Sequence, residues 1–308
     1  MEDYAPATVL SLSDVVAMTG MGGDLLRAWE RRYGFPNPLR DRQGRRVYPV
    51  TQVDRLQLLC QLVNAGHRPS RIAALPQPQL KALIQTSPLA VTAGSPLVGY
   101  SDIVEQLVEA LARNDLDALA QGLRRDLAYR GARSFILETA APLTTAVGFA
   151  WQVGRISVHQ EHAFSQILQH VLRTVVLNAG SAAGPKFILT TTPGEAHGLG
   201  IAMAEAMIAL EGGCCLSLGL QTPLEEIAAA TVAHQVDVVG LSFSAFHAPR
   251  RAARTIETLR NLLAPTVRLW VGGGCVGLGH ITGAGVERFA SLATIGEAVG
   301  GLQTRRAA

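Results

Sequence analysis

Cysteine and lysine are scarce in this chain. Its 308 residues include four cysteines, with no C-x-x-C pair among them. This excludes a disulfide scaffold and a cysteine-based zinc finger, and it favours a reducing compartment. Of the 27 basic side chains, 25 are arginine and two are lysine.

Long hydrophobic runs are missing as well. The longest uncharged stretches, 82–101 and 269–286, are interrupted by proline or glycine, which excludes membrane-spanning helices. The first ten residues lack the basic segment and apolar stretch of a secretory signal. With 48% hydrophobic and 17% charged residues, the chain has the composition of a folded protein, and its length predicts about two domains. We therefore expect a soluble, cytoplasmic protein without membrane contacts.

Positive charge is concentrated near the N-terminus. Between Arg27 and Arg55, eight arginines accompany three acidic residues, a local balance of +5 against +3 for the whole chain. The remainder of the chain therefore carries a balance of −2. An arginine-rich run is most often a solvated face. A compact basic stretch is, however, also the electrostatic footprint of phosphate binding.

The pattern around these arginines favours DNA binding. Residues 11–18 predict a short helix, and after a glycine-containing turn residues 25–33 predict a second helix that carries arginine. This order matches a helix-turn-helix, whose second helix enters the major groove. Residues 40–48 predict a hairpin that turns at Gln43-Gly44, forming a wing, and residues 50–66 predict a third helix.

Residues 9–80 resemble the MerR family of winged-helix DNA-binding regulators. The resemblance rests on Leu26–Gly34, Gly44–Tyr48 and Val53–Leu56, which occur in the family's order. It implies DNA contacts from the second helix and the wing. The residues implied are Arg27, Arg31, Arg32, Arg45, Arg46 and Tyr48.

These contacts differ in what they can recognise. Arginines on a wing meet phosphates or a minor groove, which sets affinity more than sequence choice. We expect Trp29 to anchor the core rather than to read bases. One such module offers little interface, so the expected partner is double-stranded promoter DNA bound by a dimer or larger homo-oligomer.

The middle of the chain has a helical pattern. Residues 86–99 contain two prolines, two glycines and no charge, which predicts a linker. From 102 to 180 the hydrophobic period predicts four helices with short connections, a four-helix bundle. The third helix spans about 132–151, and the fourth begins near a capping box at Ser157–Gln160. Antiparallel neighbours bring their adjoining ends together, so Trp151, Glu161 and His162 are expected to cluster, although a tryptophan at a helix end is more often packing.

After Gly184 the pattern changes to alternating strands and helices. Strands are predicted at 186–192, 214–219, 236–243 and 267–272, with helices at 199–210, 224–234 and 250–263. This alternation predicts an α/β, doubly wound, flavodoxin-like domain with a parallel sheet. In such a sheet the ligand lies outside the carboxyl ends of the strands.

Three loops at that edge carry distinctive residues. They are Glu195-Ala-His197-Gly-Leu-Gly200, then Ser242-Phe-Ser244 after 41 intervening residues, then Gly272-Gly273 after a further 27. In this order they resemble the cobalamin-binding fold shared by methionine synthase and the adenosylcobalamin mutases. Alone, a histidine in a turn is most often structural or solvated, and the other two loops are what favour a ligand role.

The resemblance implies a role for each of these residues. His197 would bind the cobalt of cobalamin from below the corrin, as lower axial ligand, and Glu195 would hold its other ring nitrogen. The remaining residues would line a slot for the displaced nucleotide tail. They are Gly200, Ser242, Ser244, Gly272 and Gly273.

A MerR-like head, a helical bundle and a cobalamin-binding fold, in that order, resemble the CarH/LitR-type light-responsive repressors. That family has a tryptophan, nine residues, then Glu-His in the bundle, as at Trp151 and Glu161-His162. The resemblance implies that these three residues cover the upper face of adenosylcobalamin. It also implies a tetramer that represses transcription in the dark and releases DNA after photolysis of the Co–C bond.

One position departs from the family pattern. Gln152 follows Trp151, where well-known members have a histidine that captures cobalt after photolysis, and an amide is a poor cobalt ligand. A bis-histidine photoproduct would then require His159 or His162. The alternatives are cobalamin sensing without a light response, and a vestigial site controlled by a partner protein.

An enzyme is not expected, because a cobalamin-dependent enzyme needs a catalytic barrel of about 250 residues. The chain leaves no room for one after the head and bundle. The predicted architecture is therefore multidomain. It comprises an α winged helix-turn-helix at 1–85, a linker at 86–99, the bundle at 100–182 and the cobalamin-binding domain at 183–308.

Overall fold

The computed structural model describes residues 9–19, 21, 23–64, 67–86, 100–152, 154–180, 184–245, 247–280 and 283–307. They divide into two units by their contacts: residues 1–94 with 194–196 and 246–248, and residues 95–193, 197–245 and 249–308. Apart from Thr86, the predicted linker lies outside the described residues. No helix in the described ranges has both the length and the hydropathy needed to cross a bilayer.

The first unit is a winged helix with a small antiparallel sheet. Its first part contains β1 (Val9–Ser11), α1 (Leu12–Thr19), α2 (Gly23–Tyr33), β2 (Leu39–Arg40) and β3 (Arg46–Pro49). Helices α3 (Val50–Asn64), α4 (Pro69–Ile72) and α5 (Gln77–Thr86) follow. The helix-turn-helix and hairpin occur where the sequence predicts them. Strand β1 was not predicted, and it pairs with β3, which lies between β1 and β2.

The wing turn is stabilised by its own side chains. Gly44 adopts a φ of +77°, which favours glycine at the turn. Asp41 Oδ1 accepts hydrogen bonds from the amides of Gln43 at 2.9 Å and Arg45 at 2.8 Å. The Arg45 guanidinium also donates to Asp41, and these bonds hold the pKa of the Asp41 carboxyl below its usual value.

The second unit begins with the four-helix bundle. Its elements are α6 (Asp102–Ala112), α7 (Leu116–Arg130), α8 (Ala132–Ser134), a π-helix (Phe135–Ala140), α9 (Ala141–Gln152) and α10 (Val158–Ala179). The predicted third helix is therefore not one α-helix, because a π-helix interrupts it. At the start of α10 the amide of Ser157 donates to Gln160 Oε1 at 2.8 Å, which confirms the capping box.

A five-stranded parallel sheet completes the second unit. Its elements are β4 (Lys186–Thr190), α11 (Leu199–Leu210), β5 (Cys214–Gly219), α12 (Leu224–His234), β6 (Val238–Ser242), α13 (Pro249–Leu262), β7 (Arg268–Gly272), β8 (Val286–Phe289) and α14 (Ile295–Ala307). The strand order β5-β4-β6-β7-β8 is the flavodoxin-like order 2-1-3-4-5. Strand β8 and helix α14 were not predicted.

This order determines where a ligand can bind. The chain leaves β4 first toward β5 on one side and later returns to β6 on the other, so β4 and β6 are neighbours at the switch point of the sheet. Loops diverge there at the carboxyl ends of the strands and leave a crevice. The loops that follow β4, β6 and β7 carry the three predicted cobalamin motifs.

Candidate cofactor and DNA-binding sites

The loop after β4 carries the predicted axial ligand. Thr190, Thr191 and Thr192 are fully buried at the end of the strand, whereas His197 is exposed just before α11 begins. An exposed imidazole at the carboxyl edge of the sheet is accessible to a large planar ligand. Thr192 Oγ1, in the same loop, is buried without a hydrogen-bond partner among the described residues, and such atoms are rare unless a ligand or water meets them.

Glu195 is held by a residue that the sequence analysis did not single out. Its Oε2 lies 3.4 Å from Nδ1 of His247, in the loop after β6, and the two side chains are 1% and 2% exposed. A buried carboxylate needs such a partner, because desolvation without one is costly. The role predicted for Glu195, holding the second nitrogen of His197, remains a prediction.

The loops after β4, β6 and β7 converge through close backbone contacts. Ser242 and Gly272 are register partners on neighbouring strands. A Cβ on Gly200 would lie 2.7 Å from Ser242 Oγ, so the first turn of α11 packs directly on the end of β6. Gly273 has a φ of +108°, and a Cβ there would lie 2.2 Å from the carbonyl oxygen of Phe243.

The described residues fit a cobalamin. The predicted donor is the imidazole of His197, a ligand type that suits cobalt. The slot residues are small or hydroxyl-bearing, and at Gly200 and Gly273 there is no room for a side chain. Ser244 lies half-buried in the loop after β6, directly after Phe243, whose backbone meets Gly273. Elsewhere in the described ranges, no cluster of three or more His, Cys, Asp or Glu side chains is arranged to hold a metal ion.

The three residues predicted for the upper face lie at adjoining helix ends. Trp151 is half-buried near the end of α9 and packs against the main core of the second unit. Glu161 and His162 lie at the start of α10, where His162 Nδ1 is 2.8 Å from Glu161 Oε2. Ser165 Oγ donates to Glu161 Oε1 at 2.8 Å. The side chain of Gln152 lies outside the described residues.

The connection between those helices is held to the bundle. The Arg155 guanidinium donates to Glu109 of α6. Gln160 Nε2 donates to the carbonyls of Leu111 at 2.7 Å and Ala112 at 3.2 Å, which satisfies acceptors at the end of α6. The start of α10, and with it Glu161, is therefore fixed by hydrogen bonds as well as by packing.

The predicted DNA-contacting arginines lie on α2 and the wing. Arg31 and Arg32 are exposed on α2, and Arg27 is half-buried. Arg45 has a side chain 72% exposed, and Arg46 lies 3.5 Å from Glu30 of α2. This ion pair joins the wing to α2, so the two basic elements are fixed to each other.

Tyr48 differs from the prediction. Its exposure is 1%, and it belongs to the core of the first unit with Leu26 and Trp29. The reason is that one face of β3, the central strand of the three-stranded sheet, packs on the helices of this unit and places Tyr48 in their core. We therefore assign Tyr48 to the core and not to DNA contact. Trp29, 6% exposed, is a core anchor, as expected.

One arginine of the basic stretch has an internal role. Arg55 lies over the Phe35 ring at 4.6 Å, and its Nη2 donates to the carbonyls of Ala73 at 2.8 Å and Leu75 at 3.2 Å. The Arg55 guanidinium therefore stabilises the segment after α4 and points toward the interior of the first unit. The charge balance of the stretch therefore overstates the number of arginines that are positioned for phosphate.

A groove of about 690 Å³ lies elsewhere, between α7, α10, α11 and the edge strand β5. Glu205 lies in it, 3.3 Å from Arg173. Burial raises the pKa of the Glu205 carboxyl, and the charge of Arg173 opposes that shift. The groove is lined by residues other than those predicted to bind the cofactor.

Comparison with protein families agrees with this division of the chain. Residues 10–77 match the MerR HTH family regulatory protein model. Residues 185–280 match a B12 binding domain model, and residues 103–175 match a second B12 binding domain model. Fold and loops together therefore define a MerR-type regulator with a B12-binding sensor.

Two curated relatives from Myxococcus xanthus match most of the chain. The HTH-type transcriptional repressor CarH is 30% identical over 257 residues, which cover 83% of this chain and 86% of that protein. The HTH-type transcriptional repressor CarA is 29% identical over 266 residues, which cover 83% and 84%. The chain belongs to the CarH-type family of cobalamin-binding MerR regulators, and it is a regulator rather than an enzyme.

A solved structure has a limited likeness to this chain. The Methanosarcina barkeri monomethylamine corrinoid protein has a TM-score of 0.49 at 18% identity, covering 64% of this chain and 96% of that one. At that score the likeness carries no argument about function.

Proposed function

We propose that this protein is an adenosylcobalamin-dependent, light-responsive repressor. In the dark it binds promoter DNA as an oligomer, and illumination releases it. When bound, adenosylcobalamin supplies a light-sensitive cobalt–carbon bond. The observation that carries the proposal is the convergence of the His197, Ser242 and Gly273 loops at the switch point of the sheet. These loops belong to a chain that begins with a MerR winged helix.

Each part of the second unit has a task in this proposal. His197 would supply an imidazole nitrogen to the cobalt, and Glu195 would hold the other ring nitrogen. Glu195, paired with His247, would also stabilise the loop that carries His197. Gly200, Ser242, Ser244, Gly272 and Gly273 form the slot for the nucleotide tail. Trp151, Glu161 and His162 cover the upper face, where they meet the adenosyl group. A change of upper ligand then alters contacts at the end of the bundle, and only such a difference can shift a population between two states.

The first unit supplies DNA affinity. Arg27, Arg31 and Arg32 on α2 enter the major groove, while Arg45 and Arg46 on the wing meet phosphates. A single winged helix buries little DNA surface, so oligomer assembly multiplies the affinity through linked binding. Repression as the output is supported by the similarity to two transcriptional repressors.

The test is a gel shift on the promoter of the protein's own gene. Three states are compared at equal protein concentration: apoprotein, protein loaded with adenosylcobalamin in the dark, and the loaded protein after green light. We expect the dark loaded state to bind most tightly and to elute as the largest species in size-exclusion chromatography. Equal binding and equal size in all three states would contradict the proposal.

A matched pair of variants connects the response to the cofactor site. His197→Ala should lose the cofactor-dependent gain in DNA binding. His170→Ala, at an exposed position in the middle of α10, should retain it. A His197→Ala protein that responds as the wild type does would instead support a vestigial site controlled by a partner protein.

A second function, cobalamin sensing without light, is favoured by Gln152 after Trp151. An amide at this position cannot replace a histidine as a strong cobalt ligand. The gel shift separates the two functions. DNA binding that depends on adenosylcobalamin but is unchanged by illumination would identify a cobalamin sensor.

A further inference from the structure

The π-helix Phe135–Ala140 lies directly before α9 in the bundle. The amide of Ala141 donates to the carbonyl of Ile136, five residues earlier, whereas an α-helix uses the carbonyl four residues earlier. The extra residue rotates everything after it by about 100° relative to a continuous α-helix. The π-helix therefore sets the direction in which Trp151, on α9, projects.

Two adjacent residues of the π-helix are bonded to α7. Thr139 Oγ1 donates to Asp126 Oδ2 at 2.6 Å, and Arg130 Nη1 donates to Glu138 Oε2 at 2.8 Å. Arg130 Nε also donates to Asp126 Oδ1 at 2.8 Å. Asp126 therefore accepts one hydrogen bond from Arg130 of its own helix, α7, and one from Thr139 of the π-helix.

Burial makes the bond from Thr139 to Asp126 important. Thr139 is fully buried, and Asp126 is 6% exposed. If the segment changed to an α-helix, residue 139 would turn about 100° away from α7. Asp126 Oδ2 would then lose a short hydrogen bond, whereas Oδ1 would keep its bond from Arg130. A buried acceptor atom that loses its donor is costly.

The local sequence accounts for part of the π-helix. Residues 135–140 are Phe-Ile-Leu-Glu-Thr-Ala, and Pro142 follows in the first turn of α9, where it has no amide to donate and its ring would clash with the carbonyl of Glu138 in a continuous α-helix. A π-turn is rare because its geometry is less favourable than that of an α-turn. The bonds from α7 add a tertiary contribution to this local cause.

We infer that Asp126 is a positioning residue, which holds the π-turn through Thr139 and thereby sets the rotation of α9 that directs Trp151 to the upper ligand. The inference rests on the proposed function, because Trp151 is assigned to the upper face there. The expected consequence is that the protein distinguishes between cobalamins by the size of their upper ligand. Losing the bond weakens the binding of a cobalamin with a large upper group, and leaves the binding of one with a small upper group nearly unchanged.

The test uses three threonine substitutions. Thr139→Val removes the hydroxyl and keeps the shape, and Thr139→Ser keeps the hydroxyl. Thr145→Val is the control, since Thr145 is an exposed residue of α9 whose Oγ1 bonds within its own helix, to Ala141 at 3.3 Å. Dissociation constants for adenosylcobalamin and hydroxocobalamin are measured in the dark, and amide hydrogen exchange is measured on the apoproteins.

We expect Thr139→Val to weaken adenosylcobalamin binding about tenfold and hydroxocobalamin binding by less than about twofold. Amides of residues 136–141 should exchange faster in this variant alone. Thr139→Ser and Thr145→Val should resemble the wild type in both measurements. If Thr139→Val does not fold, Asp126→Asn, which keeps an acceptor oxygen, should show the same selectivity with a smaller loss.

Equal losses for both cobalamins would overturn the inference, because they would show a general structural role. Unchanged affinities in Thr139→Val would overturn it as well. The experiment distinguishes a failure of this inference from a failure of the proposed function. A wild-type protein that binds neither cobalamin would contradict the function, whereas unchanged hydrogen exchange in Thr139→Val would contradict the role of Asp126 in holding the π-turn.

Discussion

Replacing Gly273 with alanine tests whether the cofactor loops after β6 and β7 meet as the structure places them. The φ of +108° strains any residue with a Cβ, at a cost of about 1–3 kcal/mol. The added Cβ would also lie 2.2 Å from the carbonyl oxygen of Phe243 and 2.9 Å from its carbonyl carbon and amide nitrogen. These are backbone atoms, which cannot rotate aside. Forcing them apart costs about 1–3 kcal/mol more, as in other overpacked sites.

The measurement is differential scanning calorimetry together with cobalamin binding. The two costs together are about 2–6 kcal/mol. A domain of this size loses about 2–4 °C per kcal/mol, so the transition of the second unit should fall by roughly 4–24 °C. Binding of adenosylcobalamin should weaken, because the loops after β6 and β7 move apart. The control is Gly148→Ala in α9, where an added Cβ meets nothing within 4 Å. This control should gain about 0.5–1 kcal/mol, since alanine is favoured in a helix. A Gly273→Ala protein that melts and binds like the wild type would refute the convergence of the loops.

Three further predictions concern single side chains. His197→Ala should remove the proposed nitrogen ligand and so change the absorbance spectrum of the cobalamin-loaded protein. The control His170→Ala should leave that spectrum unchanged. Arg45→Gln should weaken DNA binding at every sequence and lower the slope of log affinity against log salt by about one. Tyr48→Phe, in the core, should leave that slope unchanged when fluorescence anisotropy is measured at several salt concentrations. The Asp41 carboxyl has a lowered pKa in the folded wing, so its stabilisation is present above the unfolded pKa and is lost as the pH falls through the folded value. Asp41→Asn should therefore reduce the acid sensitivity of hydrogen exchange in the wing.

The sequence predicted the elements whose signals are local. The hairpin turn at Gly44, the capping box at Ser157 and the helix 199–210 were found where expected, since each depends on residues a few positions apart. The order of motifs along the chain also predicted which loops meet at the sheet edge. These features explain why the architecture could be inferred without coordinates.

Features that depend on distant partners were missed or misread. The MerR resemblance implies a DNA contact for Tyr48, but its packing with Leu26 and Trp29 is a tertiary contact that the local sequence does not report. The hydrogen bond that joins the π-helix to α7 is between Thr139 and Asp126, which lie 13 residues apart in sequence. His247 lies outside every motif, and only its distance from Glu195 reveals it. In each case the deciding contact is tertiary, and periodicity does not report it.

The discontinuity of the cofactor loops has a consequence for synthesis. The described helices and strands of the winged helix end at Thr86, whereas the proposed cofactor slot needs the loop at residues 272–274. At about 5–20 residues per second, the ribosome needs roughly 10–40 s more to supply that loop. During this interval each nascent chain has a finished DNA-binding unit and no means of sensing the cofactor. The number of ribosomes translating the message therefore sets the size of a small population of nascent DNA-binding units that cannot yet respond to the cofactor.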